Sequence, residues 1–179
     1  NIVYVFDEIQ IGFGSTGKLW YFQHLDIIPD IVIFGKKTQL SGIMALKHMG
    51  KIFSKNRSIR LEVTWDSDVS DMIRCKHIIK AYKENNILEN VNKVSEFLVQ
   101  NLAQNKNILS LRNCGLIIGF DLTNNQKRDT LVSKLFENGL ICNPTGLKSI
   151  RFRPNLNLSL EEAKEAIRII NKSFKDIGD

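Results

Sequence analysis

A chain of 179 residues with 43% hydrophobic and 25% charged residues can bury a core as one large domain or as one domain and part of another, and it is not a disordered chain. The formal net charge of +6 comes from scattered basic residues with no basic stripe and no interleaved aromatics, so nucleic acid is not an expected partner. Cys75, Cys114 and Cys142 are odd in number and widely spaced, and His24, His48 and His77 lack ligand spacing, which argues against a disulfide framework and against a metal site.

Residues 2–6, Ile-Val-Tyr-Val-Phe, form a short, continuous, partly β-branched run that predicts a fully buried strand. The chain opens directly in this run, without an initiator Met, and reads as one cut open inside a buried strand. Asp7-Glu8 ends the strand, and Gly12, Gly14 and Gly17 mark a loop. Asp30 to Phe34, after Pro29, predicts a second buried strand, with Gly35-Lys36 following. Two such strands with polar residues at their ends fit an open α/β sheet, whose ligands sit at the carboxyl ends of the strands.

A helix is expected over 67–85, where Met72, Cys75, Ile79 and Tyr82 recur at 3-4-3 spacing. Asn85-Asn86 marks a break. A second helix is expected over 88–104, with Val91, Val94, Leu98 and Leu102 on one face. The pattern changes near Asn105, and a small α+β domain is expected over 105–179, leaving 1–104 as the other division. In it Leu116, Ile118, Phe120 and Leu122 alternate as in a half-buried strand. A helix over 129–137 ends at Asn138-Gly139, and short strands are expected at 140–143 and 149–152. The last helix starts at Ser159, where Glu162 completes a capping box, and buries Leu160, Ala163, Ile167, Ile170 and Phe174. No signal peptide or apolar run long enough to span a bilayer is present, and a soluble cytoplasmic protein is expected.

Four groups of residues carry candidate chemistry. The loop from Gly12 to Lys18 matches GxGxxG and nearly matches a P-loop, which would make a nucleotide-binding module. A P-loop needs Ser or Thr after its Lys, however, and Leu19 stands there; a dinucleotide turn should also follow its strand at once and open a helix. Asp7, at the end of an apolar strand, reads either as a cap or surface acid, or as the partner of a buried cation such as a protonated pyridine nitrogen. Lys36 reads either as a solvated side chain or as an amine placed to form a Schiff base with an aldehyde. Arg151 and Arg153 read either as a basic edge strand or as a clamp for a carboxylate.

Taken together, Phe6-Asp7-Glu8-Ile9-Gln10-Ile11-Gly12-Phe13-Gly14, Thr16-Gly17, Pro29-Asp30-Ile31 and Gly35-Lys36 resemble the class III aminotransferases, which have the pyridoxal-phosphate-dependent fold type I. Within that class, Phe34-Gly35-Lys36-Lys37-Thr38-Gln39 with Gly42-Ile43-Met44-Ala45 is similar to the branch that acts on the 6-amino group of lysine. Thr64-Trp65, Asp71-Met72-Ile73-Arg74 and Arg151-Phe152-Arg153-Pro154 match as well. The resemblance implies an α/β chain holding part of the large cofactor-binding domain over 1–104 and the small C-terminal domain over 105–179. It implies pyridoxal 5'-phosphate as cofactor and a homodimer with a shared active site. Lys36 would form the Schiff base and shuttle the proton, and Asp7 would pair with the pyridine nitrogen. Gln10 would bond near the ring hydroxyl and the substrate. Thr64 would reach the cofactor phosphate of the partner subunit, and Arg151 would bind the carboxylate of 2-oxoglutarate or glutamate. Lysine would give up its ε-amino group and 2-oxoglutarate would take it; ornithine, acetylornithine or 4-aminobutyrate as donor, or a remnant that only dimerises, are the alternatives.

The chain departs from the class pattern at Glu62-Val63-Thr64-Trp65-Asp66-Ser67-Asp68, where three acids flank the phosphate-binding threonine. The phosphate turn, the ring-stacking aromatic and the arginine for the lysine carboxylate belong to a half that these residues do not include. Residues 1–179 alone are therefore expected not to turn over lysine.

Overall fold

A computed structural model describes residues 2–53, 64 and 68–178. They divide into two compact units, Asn1–Gly14 with Lys18–Asn86, and Ser15–Gly17 with Ile87–Asp179.

The first unit is built on a three-stranded sheet of β1 (Val5–Asp7), β2 (Ile31–Phe34) and β3 (Gly42–Ala45), in that order. β1 runs parallel to β2, with Asp7 opposite Ile33, and β3 returns antiparallel. The expectation of a fully buried strand over 2–6 is corrected. The strand begins at Val5, Ile2 is 93% exposed, and Val3, Tyr4 and Val5 are each 49% exposed. The reason is its place in the sheet: among the described residues β1 pairs with β2 alone, so one edge and much of its surface stay open. β2 forms where expected, but only Val32 is buried. Asp30 fastens the two strands at their start. Its carboxylate accepts from Tyr4 N at 2.8 Å, its own amide donates to Tyr4 O at 2.9 Å, and His48 Nε2 lies 2.9 Å from its other oxygen.

The helix α1 (Val69–Glu84) matches the expected span. Asp68 caps it by accepting from Ser70 N at 2.7 Å, and those backbone and side-chain bonds hold its carboxyl below the usual range. Asn85 closes the helix and Asn86, at φ +47°, breaks it. Its apolar stripe is only partly covered: Met72 and Ile79 are exposed, while the Tyr82 hydroxyl donates to Phe13 O at 2.9 Å and its ring stacks 4.6 Å from that of Phe13. Burial pushes the Tyr82 phenol up to about 12.

The second unit is an antiparallel sheet in the order β4-β5-β7-β6, with β4 at Leu109–Cys114, β5 at Ile117–Asp121, β6 at Asn143–Thr145 and β7 at Ser149–Phe152. Three helices pack with it: α2 (Ile87–Leu102), α3 (Asn125–Glu137) and α4 (Leu160–Asp176). The alternation read from the sequence is the alternation of burial, since Leu116, Ile118, Phe120 and Leu122 are each at most 1% exposed. Val91, Val94, Leu131, Leu135, Ile150, Ala163, Ile170 and Phe174 complete the core. Each such large side chain contributes about 1.5–3 kcal/mol on burial. The Ser159–Glu162 capping box forms as expected. α3 starts four residues earlier than expected because Asn124 caps it, accepting from Lys127 N at 2.8 Å. The strand expected at 140–143 forms instead at Asn143–Thr145, and Ile141 is 80% exposed.

Ser15–Gly17 belongs to this unit through Leu116 N, which donates to Ser15 O at 2.9 Å, and Asn92 Nδ2, which donates to Gly17 O at 3.2 Å. Gly115, at φ +56°, permits the approach, because a Cβ there would stand 2.5 Å from Ser15 O. Burial pushes the Cys142 thiol up to about 11 and raises that of Cys114, so both stay protonated at neutral pH. No helix of the described residues is long and apolar enough to cross a membrane.

Candidate active site

The parallel register of β1 and β2 decides what meets at their carboxyl ends. Asp7 is the last residue of β1 and lies opposite Ile33; Lys36 comes three residues after Ile33, just beyond the end of β2. The chain between them turns twice. After Asp7, Glu8 N donates to Ile33 O at 2.9 Å and Ile9 N donates to the Asp7 carboxylate at 3.0 Å. After Phe34, a short 3₁₀ turn, Lys36–Thr38, reverses the chain.

That turn explains the Lys-Lys-Thr-Gln run. Lys36 sits at φ +54°, a left-handed conformation that costs a non-glycine residue on the order of 1–3 kcal/mol. Its carbonyl is held from two sides, by Gln39 N at 2.9 Å and Gln39 Nε2 at 3.2 Å. Thr38, only 2% exposed, donates its hydroxyl to Leu40 O at 2.5 Å. The Lys36 amine is thereby aimed at the loop after β1, where it donates to Gln10 Oε1 at 2.6 Å. Among the described residues Lys36 has no carboxylate partner, and Asp7 has no cationic one. Both side chains, and that of Gln10, are exposed in this chain rather than enclosed.

Glu8 is a residue whose role sequence reasoning does not find. It is 1% exposed, and its two carboxylate oxygens accept from Tyr21 N at 2.7 Å and Phe22 N at 2.9 Å, capping a short 3₁₀ helix at Tyr21–His24. The adjacent acids thus divide the work, Asp7 facing out at the strand end and Glu8 facing in. Only the turn-forming residues beyond it hint at such a cap. The glycine loop between them is packed: Gly12 through Gly17 are all buried, and the next helical element is the four-residue 3₁₀ helix, not the long helix whose N-terminus receives a phosphate.

The remaining sequence candidates lie elsewhere. Thr64 is an exposed turn residue of the first unit, while Glu62, Trp65 and Asp66 fall outside the described residues. Arg151 is an exposed residue of β7 in the second unit, opposite Gly119 and Asn143. Arg153 lies past the end of that strand. Neither arginine has an ion-pair partner among the described residues.

Comparison with known proteins gives a family. The description "Aminotransferase class-III" matches residues 1–174. L-lysine-epsilon aminotransferase of Mycobacterium bovis is 33% identical over 177 residues, which cover 95% of this chain and 39% of that protein. 4-Aminobutyrate aminotransferase of Kluyveromyces lactis is 34% identical over 185 residues, covering 97% of this chain and 38% of that one. The solved lysine aminotransferase of M. tuberculosis superposes with a TM-score of 0.88 at 32% identity, over 97% of this chain and 41% of that one. The chain therefore spans about two fifths of the length of the relatives it matches. Enzymes of this family depend on pyridoxal 5'-phosphate. The residues present fit that group: among the described residues, a primary amine with no carboxylate partner for its aldehyde and a carboxylate with no cationic partner for its ring nitrogen, at neighbouring strand ends. With the family match running over nearly its whole length and the fold type I architecture in both units, this chain belongs to the class III aminotransferases.

Proposed function

We propose that the protein transfers the ε-amino group of L-lysine to 2-oxoglutarate, yielding 2-aminoadipate 6-semialdehyde and L-glutamate. The observation that carries the reading is the Lys36 amine, held 2.6 Å from Gln10 Oε1 just past the end of β2, with no carboxylate partner among the described residues. The similarity to lysine-epsilon aminotransferases supports the donor. The equal similarity to 4-aminobutyrate aminotransferase supports a second reading, in which a shorter ω-amino acid (4-aminobutyrate or ornithine) is the donor.

Pyridoxal 5'-phosphate, when bound, supplies the electron sink that allows a C–H bond beside the transferred nitrogen to ionise. Lys36 would hold that group through its aldehyde, and its Nζ would carry the proton. Asp7 would pair with the ring nitrogen. Gln10 orients the Lys36 amine and reaches the substrate side. Arg151, an exposed residue of the second unit, would take the carboxylate of 2-oxoglutarate, a group that a guanidinium can bind through two parallel hydrogen bonds. Thr64 reaches the cofactor phosphate of a partner subunit in a cytoplasmic homodimer. In this reading residues 1–104 supply part of the cofactor-binding large domain and 105–179 the small C-terminal domain.

The test gives the intact holoenzyme lysine, ornithine or 4-aminobutyrate, each with 2-oxoglutarate, and measures glutamate. Preference for lysine is expected. Preference for another donor selects the second reading, and glutamate from none of them overturns the proposal.

A further inference from the structure

The loop that carries Gln10 turns on Glu8, whose carbonyl accepts from Gly12 N at 2.9 Å. The β1–β2 ladder ends at Asp7 and Ile33, and the last strand-like bond is Glu8 N to Ile33 O. Beyond it, residues 10–12 are tied to the turn after β2 by a pair of neighbouring lysines. Lys36 Nζ takes the side-chain oxygen of Gln10. Lys37 Nζ takes the main-chain oxygen of the same residue at 2.7 Å, and that of Gly12 at 3.0 Å. Gln10 is thus gripped at both ends by adjacent residues of one 3₁₀ turn. The grips differ in kind. The Lys36–Gln10 bond joins two exposed, rotatable side chains, which by itself orders little. The Lys37 ammonium is half-buried and makes two charge-assisted bonds to backbone oxygens, which fixes main chain rather than side chain.

We propose that Lys37 is a positioning residue, whose ammonium group clamps the Gln10 and Gly12 carbonyls and so sets the backbone from which Gln10 meets the Lys36 amine. This rests on the reading of Lys36 and Gln10 as site residues. Lys37 need not touch substrate or cofactor; it acts through Gln10. Loss of the clamp lets the loop drift while β2, and the turn that presents Lys36, stay in place.

The clamp is read in the cofactor-free intact protein by amide hydrogen exchange. Lys37→Met should speed exchange over residues 9–14 by about tenfold, the factor that one charge-assisted hydrogen bond corresponds to, and leave residues 31–34 unchanged. Equal exchange in variant and wild type overturns the clamp. In the holoenzyme, kcat should fall about tenfold with KM for the amino donor within about twofold, and Lys37→Arg, which keeps donors at that position, should recover part of the loss. Unchanged kcat overturns the positioning role. A third measurement needs no variant and decides if Lys37→Met does not fold. Reductive methylation of the wild-type protein should modify Lys37 at least about tenfold more slowly than the exposed Lys76, and equal rates overturn the clamp. A wild-type protein that transaminates none of the donors removes the proposed function, while exchange and methylation still decide the clamp.

Discussion

Gln10 Oε1 and Lys36 Nζ stand 2.6 Å apart, though 26 residues separate them in the chain. The parallel pairing of two short strands is what closes that gap, by bringing both strand exits to one end of the sheet. The neutral amide oxygen of Gln10 orients the amine through a hydrogen bond without the charge pairing that a carboxylate would add.

Replacing Lys36 by Ala in the intact protein is expected to abolish transamination and to remove the visible absorbance of the bound cofactor. Lys36→Arg should do the same, since a guanidinium keeps the charge but not the nucleophile. Activity near wild type in either variant would assign the cofactor to another lysine.

Arg151→Ala should weaken 2-oxoglutarate and spare the cofactor. Losing a charge-assisted hydrogen bond to the carboxylate costs about 1.5–3 kcal/mol, so the half-saturating concentration of 2-oxoglutarate should rise by at least about tenfold. Steady-state kinetics with 2-oxoglutarate varied, alongside a cofactor titration, checks both halves. An unchanged value would move the carboxylate clamp to Arg153.

Glu8→Ala removes a buried carboxylate that satisfies two backbone amides. The expected cost is about 1.5–3 kcal/mol, with Tyr21 and Phe22 N–H left unpartnered. A lowered thermal midpoint, with the spectrum of the bound cofactor preserved at low temperature, would separate this structural acid from its neighbour Asp7, whose replacement by Ala should alter that spectrum.

Asp121 gives a pH dependence with a definite sign. The Ser149 hydroxyl, at 2.6 Å, and then the Arg112 guanidinium, at 2.9 Å, hold its carboxyl below the usual carboxylate range. The folded state therefore releases this proton more readily than the unfolded chain. The stability it contributes is complete above the unfolded value of about 3.9 and is lost as pH falls through the lower folded value. Denaturation midpoints measured from neutral to acid pH should fall less steeply for Asp121→Asn than for the wild type.

Much of the fold is legible in the sequence, and the losses have physical causes. The helices of the second unit announce themselves through period and caps, as Ser159 with Glu162 shows, because both signals are local. The alternation of 116–122 reads correctly because one face is packed and the other is not. β3 and β4 do not show in the sequence pattern. β3 (Gly-Ile-Met-Ala) neither alternates nor buries a face, and β4 carries a register shift between Leu109 and Arg112 that breaks its period. The strand at residues 2–6 reads as buried because a continuous apolar run says nothing about which neighbours are present. In the candidate site, strand ends and resemblance single out Asp7 and Lys36, and the structure sets them at neighbouring strand ends. Glu8 and Gln39 cannot be found in this way, since their work is to bind backbone groups that only the folded turn exposes.

The membership of Ser15–Gly17 in the second unit bears on how that unit assembles. The sulfur of Cys114 reaches Thr16 O across 98 residues of chain, and Asn92 reaches Gly17 O across 75. Loop closure over such lengths is paid before any contact rewards it. The three residues precede Asn92 and Leu116 in the chain, so their carbonyls gain these partners only once the later segment has been made. The sheet and helices after residue 87 can form meanwhile, but the unit is finished only when a segment made long before them is gathered in.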